Sequence, residues 1–445
     1  MRSTTTHRTL ALAALAGVAL SACSGGADDP ATTGSTTTPS SQASGAPSGG
    51  GPADASAPDA SAGESAEPSP GASSSSSTGD ASGAPSGSPA EAAPKGTSFT
   101  VVATGDVLVH SDVIKQAKAN AGGKGYDFAP MFAQVKPWLA GGDVAICNQE
   151  TPLSPDNTNL TQSMKIAVFN TPHEQADALA GAGIDACSTS NNHTLDQGVD
   201  GIRATRKIME DAGVTPIGPA ADATGGQQGD GSDNPVLVKA GDRTVGVVTY
   251  SYNVANAGLS PSLPSHPWME KHMWMAQGKK GIEAQARKAR EQGADVVVAV
   301  MHWGAEYSIP PRPEQEDMAH QLLEGDQVDA IVGHHAHLPQ PCATINDKTV
   351  FYGLGNFLSA QRKKPTNSFP PQVQDGMIAG ITFTADGKGG WDQKASYQPT
   401  LTTQPAFEVA PVSETQHPES FARTKATIER LGAASCHAEI MQPQG

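Results

Sequence analysis

A chain of 445 residues with 45 acidic against 29 basic side chains carries a formal net charge of −16. With no Lys/Arg-rich run to meet a phosphate backbone it is a poor nucleic-acid ligand, and a long polyanion is repelled unless metal ions or a local basic patch intervene. Five cysteines occur, with no Cys-x-x-Cys or zinc-knuckle spacing among them.

In chain order, residues 1–23 read as a secretory signal. Arg2, His7 and Arg8 precede an apolar stretch from Leu10 to Leu20, too short to span a bilayer as a stable helix. The stretch ends in "LSAC", which resembles a bacterial lipobox with Cys23 as the lipidated residue. That resemblance implies an extracytoplasmic protein anchored to the membrane through Cys23. Residues 24–96 are Ser, Gly, Ala, Pro and Thr with scattered acids and no aromatic residue, a composition that cannot bury enough apolar surface to order itself and so reads as a tether.

From residue 97 short apolar runs alternate with helical patterns, which predicts an α/β domain over 97–360. The runs "FTVVATGD", "DVAICNQE", "IDACSTSNNH", "RTVGVVTYSY", "ADVVVAVMHWG" and "VDAIVGHHAH" each read as a buried strand running into a polar tip. Helices are predicted between them. One starts with Thr171 as cap, Pro172 in the first turn and Glu174 three residues after the cap; others cover "VDGIRATRKIMEDAG", "GIEAQARKAREQG" and "RPEQEDMAHQLLEGD". Residues 361–445 read as β-hairpins and a closing helix near Pro418–Gly432 that complete the same domain. Cys147 and Cys187 fit either buried small side chains or a strand-to-strand pair; Cys342 with Cys436 fits a staple on the C-terminal helix, and spacing alone leaves the pairing open.

In α/β sheets ligands bind off the carboxyl ends of the strands, and that is where the polar residues collect. Asp106 fits a helix cap as well as a ligand or base, and Asn148 with Glu150, two apart on one face, is equally ambiguous. "SNNHTLDQG" adds the imidazole of His193 and the carboxylate of Asp196 to adjacent amides, more than an Asx-rich turn requires. "MHWGAEY" places His302 at a strand end with Glu306 four residues on. "GHHAHLPQP" sets His334, His335 and His337 within five residues, with His335 and His337 facing one way and His334 the other. His173, His266, His272 and His320 read as ordinary core or surface histidines.

Taken in order, "GDVLVH", "NQE", "SNNHTLDQG", "MHWGAEY", "GHHAHLPQP" and "YGLGNF" resemble the CapA family of poly-γ-glutamate capsule biosynthesis proteins. The resemblance implies a layered α/β sandwich of metallophosphoesterase type, with one or two divalent metals at the strand ends. It implies Asp106, Glu150, Asn192, His302, His335 and His337 as metal ligands, with His193, oriented by Asp196, and Glu306 as acid/base groups. Leu108 stands where the metallophosphoesterase pattern has a histidine, which weakens one metal position. The implied function is synthesis, export or attachment of poly-γ-glutamate or a related cell-envelope polymer, through metal-assisted hydrolysis or transfer. Implied partners are that polymer or a peptide substrate, the membrane and membrane-embedded synthase subunits. Two other readings fit the same residues: a non-catalytic polymer-binding or export subunit, for which "QRKKP" at 361–365 supplies a basic patch, and a cofactor-free acid/base enzyme acting on a peptide or amino acid.

Overall fold

The computed structural model describes residues 94–161, 168–219, 235–254 and 266–444; the signal, Cys23 and the tether as far as residue 93 lie outside the described residues. The six apolar runs form the strands Ser98–Leu108, Val144–Gln149, Ala186–Ser188, Arg243–Ser251, Val296–His302 and Ala330–His334. They divide between two sheets. One sheet has the order Val409–Pro411, Trp391–Thr402, Asp375–Ala385, Ser98–Leu108, Val144–Gln149, Ala186–Ser188 and Thr215–Ile217; Asn356–Ser359 pairs beside the tip of Ser98–Leu108. The other runs Cys342–Ile345, Lys348–Phe351, Ala330–His334, Val296–His302, Arg243–Ser251 and Val236–Ala240.

Strand alternation makes this a four-layer sandwich. Successive side chains point to opposite faces, so Val101 and Ala103 join Val245, Val247, Val298 and Val332 in a core between the sheets. Val102 points outward, into a core shared with Val113 and Ala117 of the helix Ser111–Asn120, Leu179 of Glu174–Ala182 and Met209 of Gly198–Asp211. On the far face of the second sheet, Val297, Ala299 and Ile331 pack against Ile282 and Ala286 of Lys279–Glu291 and Leu322 of Pro313–Leu323. The hairpin predicted about "DGKGG" is present, and its first strand pairs antiparallel with Ser98–Leu108, which extends the first sheet. Among the described residues no helix is long and apolar enough to cross a membrane.

Register then aligns the polar tips. Asp106 pairs with Asn148 on one side and Asn356 on the other, and Asn148 pairs with Ser188, all in parallel ladders. In the second sheet His302 pairs with His334 and Ser251, also in parallel. The polar edge therefore comes from two sheets that face each other, where the sequence pattern suggested a single row.

Two local expectations are corrected. Thr171 and Pro172 form a short strand beside Leu153–Ser154, and the helix starts at Glu174; the Thr171 hydroxyl donates to Thr151 Oγ1 (2.9 Å) and its N–H to the Pro152 carbonyl (2.9 Å), which holds Thr171 in the strand pair and away from the helix start. Asp106 is no cap either, because the next helix begins at Ser111 behind His110. Both cysteine pairs are disulfides: Cys147–Cys187 joins register partners on neighbouring strands, and Cys342–Cys436 ties the segment after the last helix to the second sheet.

Gly105 shows why the "GD" and "GLGNF" motifs occur together. The Asp106 N–H donates to the Gly355 carbonyl (2.8 Å), and a Cβ on Gly105 would lie 2.1 Å from that same oxygen. Contact this close leaves no room for a side chain. Gly105→Ala should therefore destabilise the protein by about 1–3 kcal/mol, read from denaturant unfolding; an unchanged midpoint would show that the two tips are not so tightly apposed.

Candidate metal centre

Two buried carboxylates occupy the space between the strand tips, and their surroundings differ. Asp106 is fully buried and accepts hydrogen bonds on both oxygens. Its Oδ1 takes the Asn148 amide (2.9 Å) and His334 Nδ1–H (2.8 Å), while Oδ2 takes the His335 backbone N–H (3.2 Å) and lies 3.4 Å from His337 Nδ1. Burial alone would push its pKa up, but the bonds from His334 and His337 hold the carboxyl well below the usual range.

Glu150 is the opposite case. Its side chain has no solvent access, and neither Oε1 nor Oε2 has a hydrogen-bond partner. Oε1 lies 3.8 Å from His302 Nε2 and 3.8 Å from His337 Nε2. Burial, reinforced by the charge of Asp106 and only partly offset by His337, pushes the carboxyl well above its usual range. A buried carboxylate with no donor is costly, and a cation between these imidazoles removes that cost.

The imidazoles are positioned from both directions. His337 turns Nδ1 toward Asp106 and Asn356 (3.2 Å to Asn356 Oδ1), leaving Nε2 directed at Glu150 and at Glu306 (3.7 Å). Burial opposes its protonation, but Glu150 and Asp106 outweigh burial and raise it to about 9. His335 is 3 % exposed, its Nδ1 is unpartnered, and burial together with His337 lowers it to about 3, so it offers a free lone pair. His302, lowered well below the usual imidazole value by burial and then by His335, sits with Nε2 2.9 Å from Asn192 Oδ1, and its ring centroid is 4.9 Å from that of His335.

These donors make overlapping sets. Asp106, Glu150 and His337 offer ligand atoms within 4.8 Å of one another, as do Glu306, His335 and His337. Beside them, His302 lies near Glu150 and Asn192 and packs its ring against that of His335, without completing a further donor group among the described residues. Carboxylate, imidazole and amide oxygen together suit a borderline divalent ion such as zinc, manganese or iron, and the orphaned Glu150 oxygens and His335 Nδ1 are the atoms such an ion would satisfy. The donors fit a metal.

His193 lies to one side. Its Nδ1 is 2.8 Å from Asp196 Oδ2, which also accepts the Phe169 N–H (2.7 Å), and the Phe169 ring packs edge-on against it at 4.7 Å. A cavity of about 20 Å³, room for one water, is lined by both Glu150 and His193. Glu306 is the solvent-facing acid of the group, its side chain 44 % exposed. His110, two residues beyond Leu108, packs against Phe169 and turns Nδ1 toward the Ala360 N–H (3.3 Å); burial, then His337, lowers it to about 3. Among the described residues it joins no metal-binding group.

The expectation that His334 faces away from the site is wrong. His335 and His337 both take left-handed backbone (φ 87° and 56°), so the strand's alternation ends at His334, whose side chain reaches Asp106. Sequence reading also assigned no role to Asn356, which accepts from or donates to His337, Gln361 and the Val373 carbonyl, or to Tyr252, whose ring centroid is 4.5 Å from that of His335. The available signal was an amide and an aromatic at strand ends, "GLGN" and "TYSY".

Residues 100–361 match the family described as bacterial capsule synthesis protein PGA_cap. The chain is similar to the capsule biosynthesis protein CapA of Bacillus anthracis, 28 % identical over 59 % of this chain and 60 % of that protein. It is also similar to the PGA biosynthesis protein CapA of Bacillus subtilis, 26 % identical over 58 % of this chain and 62 % of that protein. The chain thus spans about three fifths of the length of these curated relatives. A calcineurin-like phosphoesterase, YfkN, from Bacillus subtilis aligns over 74 % of this chain and 98 % of its own at 15 % identity with a TM-score of 0.38; the layered architecture described above rests on the strand order itself.

Asp106→Ala would strand the hydrogens of His334, Asn148 and the His335 backbone in the interior. Removing one partner of such a buried network costs about 3–5 kcal/mol, and loss of an orienting carboxylate weakens metal binding about 10–100-fold. Denaturant unfolding and a zinc or manganese isotherm on the same variant check both; affinity equal to that of the parent protein would remove Asp106 from the metal centre.

Proposed function

This chain belongs to the bacterial capsule synthesis protein family, and we propose that it acts as a metal-dependent hydrolase or transferase on an acyl or phosphoryl linkage of poly-γ-glutamate or a related envelope polymer. The observation that carries the reading is the Glu150 carboxylate, buried and unbonded between two imidazoles.

In this reading Glu150, His335 and His337, with Asp106 on one side and Asn192 and His302 on the other, hold one or two divalent ions. When bound, such an ion polarises the oxygen of the scissile group and acidifies water. The chain's own groups do the rest. Asp106 fixes His337 with its proton on Nδ1, so that Nε2 stays available; Asn192 and Asn148 hold His302 in place. His193, held by Asp196, carries a proton to or from the reacting group across the water-sized space it shares with Glu150. Glu306, half in solvent, is the acid that an incoming substrate meets first.

The acidic balance of the chain is offset locally. Gln361 bonds Asn356 Nδ2 (3.0 Å) and the Tyr307 hydroxyl (3.1 Å), and two and three residues further along the chain Lys363 and Lys364 are both exposed. That patch supports a polyanionic substrate. An extracytoplasmic position with Cys23 lipidated belongs to the same proposal; "LSAC" supports it, and so do two disulfides, which persist in oxidising compartments.

His335→Ala combined with His337→Ala should abolish both metal content and turnover of poly-γ-glutamate, with the circular-dichroism spectrum and both disulfides retained. A folded double variant with parental metal content and activity would end the reading.

A further inference from the structure

Next to the metal centre lies a cavity of about 350 Å³ whose lining includes Tyr250, Tyr252, Trp303, Ala305, Arg312 and Glu314. It shares walls with the centre. Tyr252 lines the cavity, its ring centroid is 4.5 Å from that of His335, and its hydroxyl hydrogen-bonds the Asn192 side chain. The segment Trp303–Ala305 lines it too, between His302 and Glu306, which both face the centre. A chain bound across His335 therefore enters this cavity with its neighbouring residue.

The lining defines what that residue is. Trp303 is fixed by its indole N–H, which donates to the Tyr352 carbonyl (2.9 Å), so with the tyrosines it presents rigid planar walls suited to methylene and amide groups. Arg312 stands at the start of the helix Pro313–Leu323, its backbone N–H held by Gln315 Oε1 (2.9 Å). Its guanidinium meets Glu314 at 4.0 Å, beyond hydrogen-bond distance, and is about half exposed. A half-exposed guanidinium that Glu314 approaches only to 4.0 Å can turn to receive a carboxylate from outside.

We propose that this cavity is the subsite for the carboxylate-bearing residue adjacent to the bond processed at the metal centre, with Arg312 reading the carboxylate and Tyr252 and Trp303 holding the aliphatic and amide atoms. Glu314, largely exposed, competes for Arg312 when the subsite is empty. The assignment rests on the polymer-processing role proposed above but makes its own prediction about binding.

The probe is a γ-linked glutamate pentamer against the same pentamer with its α-carboxylates amidated, titrated into chelator-treated protein and followed by tryptophan fluorescence and calorimetry. The acid should bind at least about tenfold more tightly than the amide, a factor in the range of one charged hydrogen bond. Arg312→Gln should erase the preference and Glu314→Gln should increase it. Equal affinity for acid and amide, or a preference that survives Arg312→Gln, overturns the assignment; so does a preference that disappears only when Lys363 and Lys364 are both changed to Gln, since the basic loop then does the discriminating. Because metal is absent, the two readings fail separately. An Arg312-dependent preference in a protein that, once metal is restored, turns over no polymer supports the subsite and counts against hydrolysis; turnover without the preference does the reverse.

Discussion

A carboxylate sealed from water with both oxygens unbonded is unstable as an anion unless a cation comes to it. Glu150 is in that position, and the arrangement around it follows from how it is enclosed. Parallel strands in two facing sheets end in register, so Asp106, Asn148 and Asn356 from one sheet meet His302 and His334 from the other. Glu150, just past the end of its strand, is closed in from both sides. The ring nitrogens nearest it are at 3.8 Å, too far for a hydrogen bond and well placed to share an ion.

The two carboxylates divide the work through their environments. Asp106 is surrounded by donors and held in its charged form; Glu150 has none and is driven toward its neutral form. Carboxyl groups pushed in opposite directions are a recurring mark of sites that handle charge. The histidines divide likewise: burial keeps His302 and His335 neutral, with His335 Nδ1 left unpartnered, whereas His337 holds a proton between Asp106 and Glu150. Without metal, burial favours a proton on Glu150 and the neighbouring carboxylates favour one on His337, and a divalent ion bound here would compete with that protonation.

Much of this was legible in the sequence because the motifs sit where apolar runs end. Each run reads as a buried strand, and the residue types at the tips, acid, amide and imidazole, are costly to bury without purpose. What could not be read depends on backbone handedness and on partners far along the chain. His334 was assigned outward by strict alternation, and the left-handed turn at His335 reverses that. Thr171 and Pro172 carry a helix-start signature, yet a strand partner at Leu153–Ser154 claims the backbone first. Whether Cys147 pairs with Cys187 turns on two strands being adjacent and in register, a fact of sheet order that spacing does not encode. Asn356 is a similar case: its role follows from a parallel pairing with Asp106 across some two hundred and fifty residues.

The most direct test is an anomalous-scattering measurement on crystals of the protein soaked in manganese or zinc. A peak about 2.0–2.2 Å from a Glu150 carboxylate oxygen, with His335 or His337 among the remaining ligands, is the expected result. Ordered density for Glu150 with no anomalous peak against it, at saturating metal, would mean that the buried acid is simply protonated and that the centre does not hold an ion.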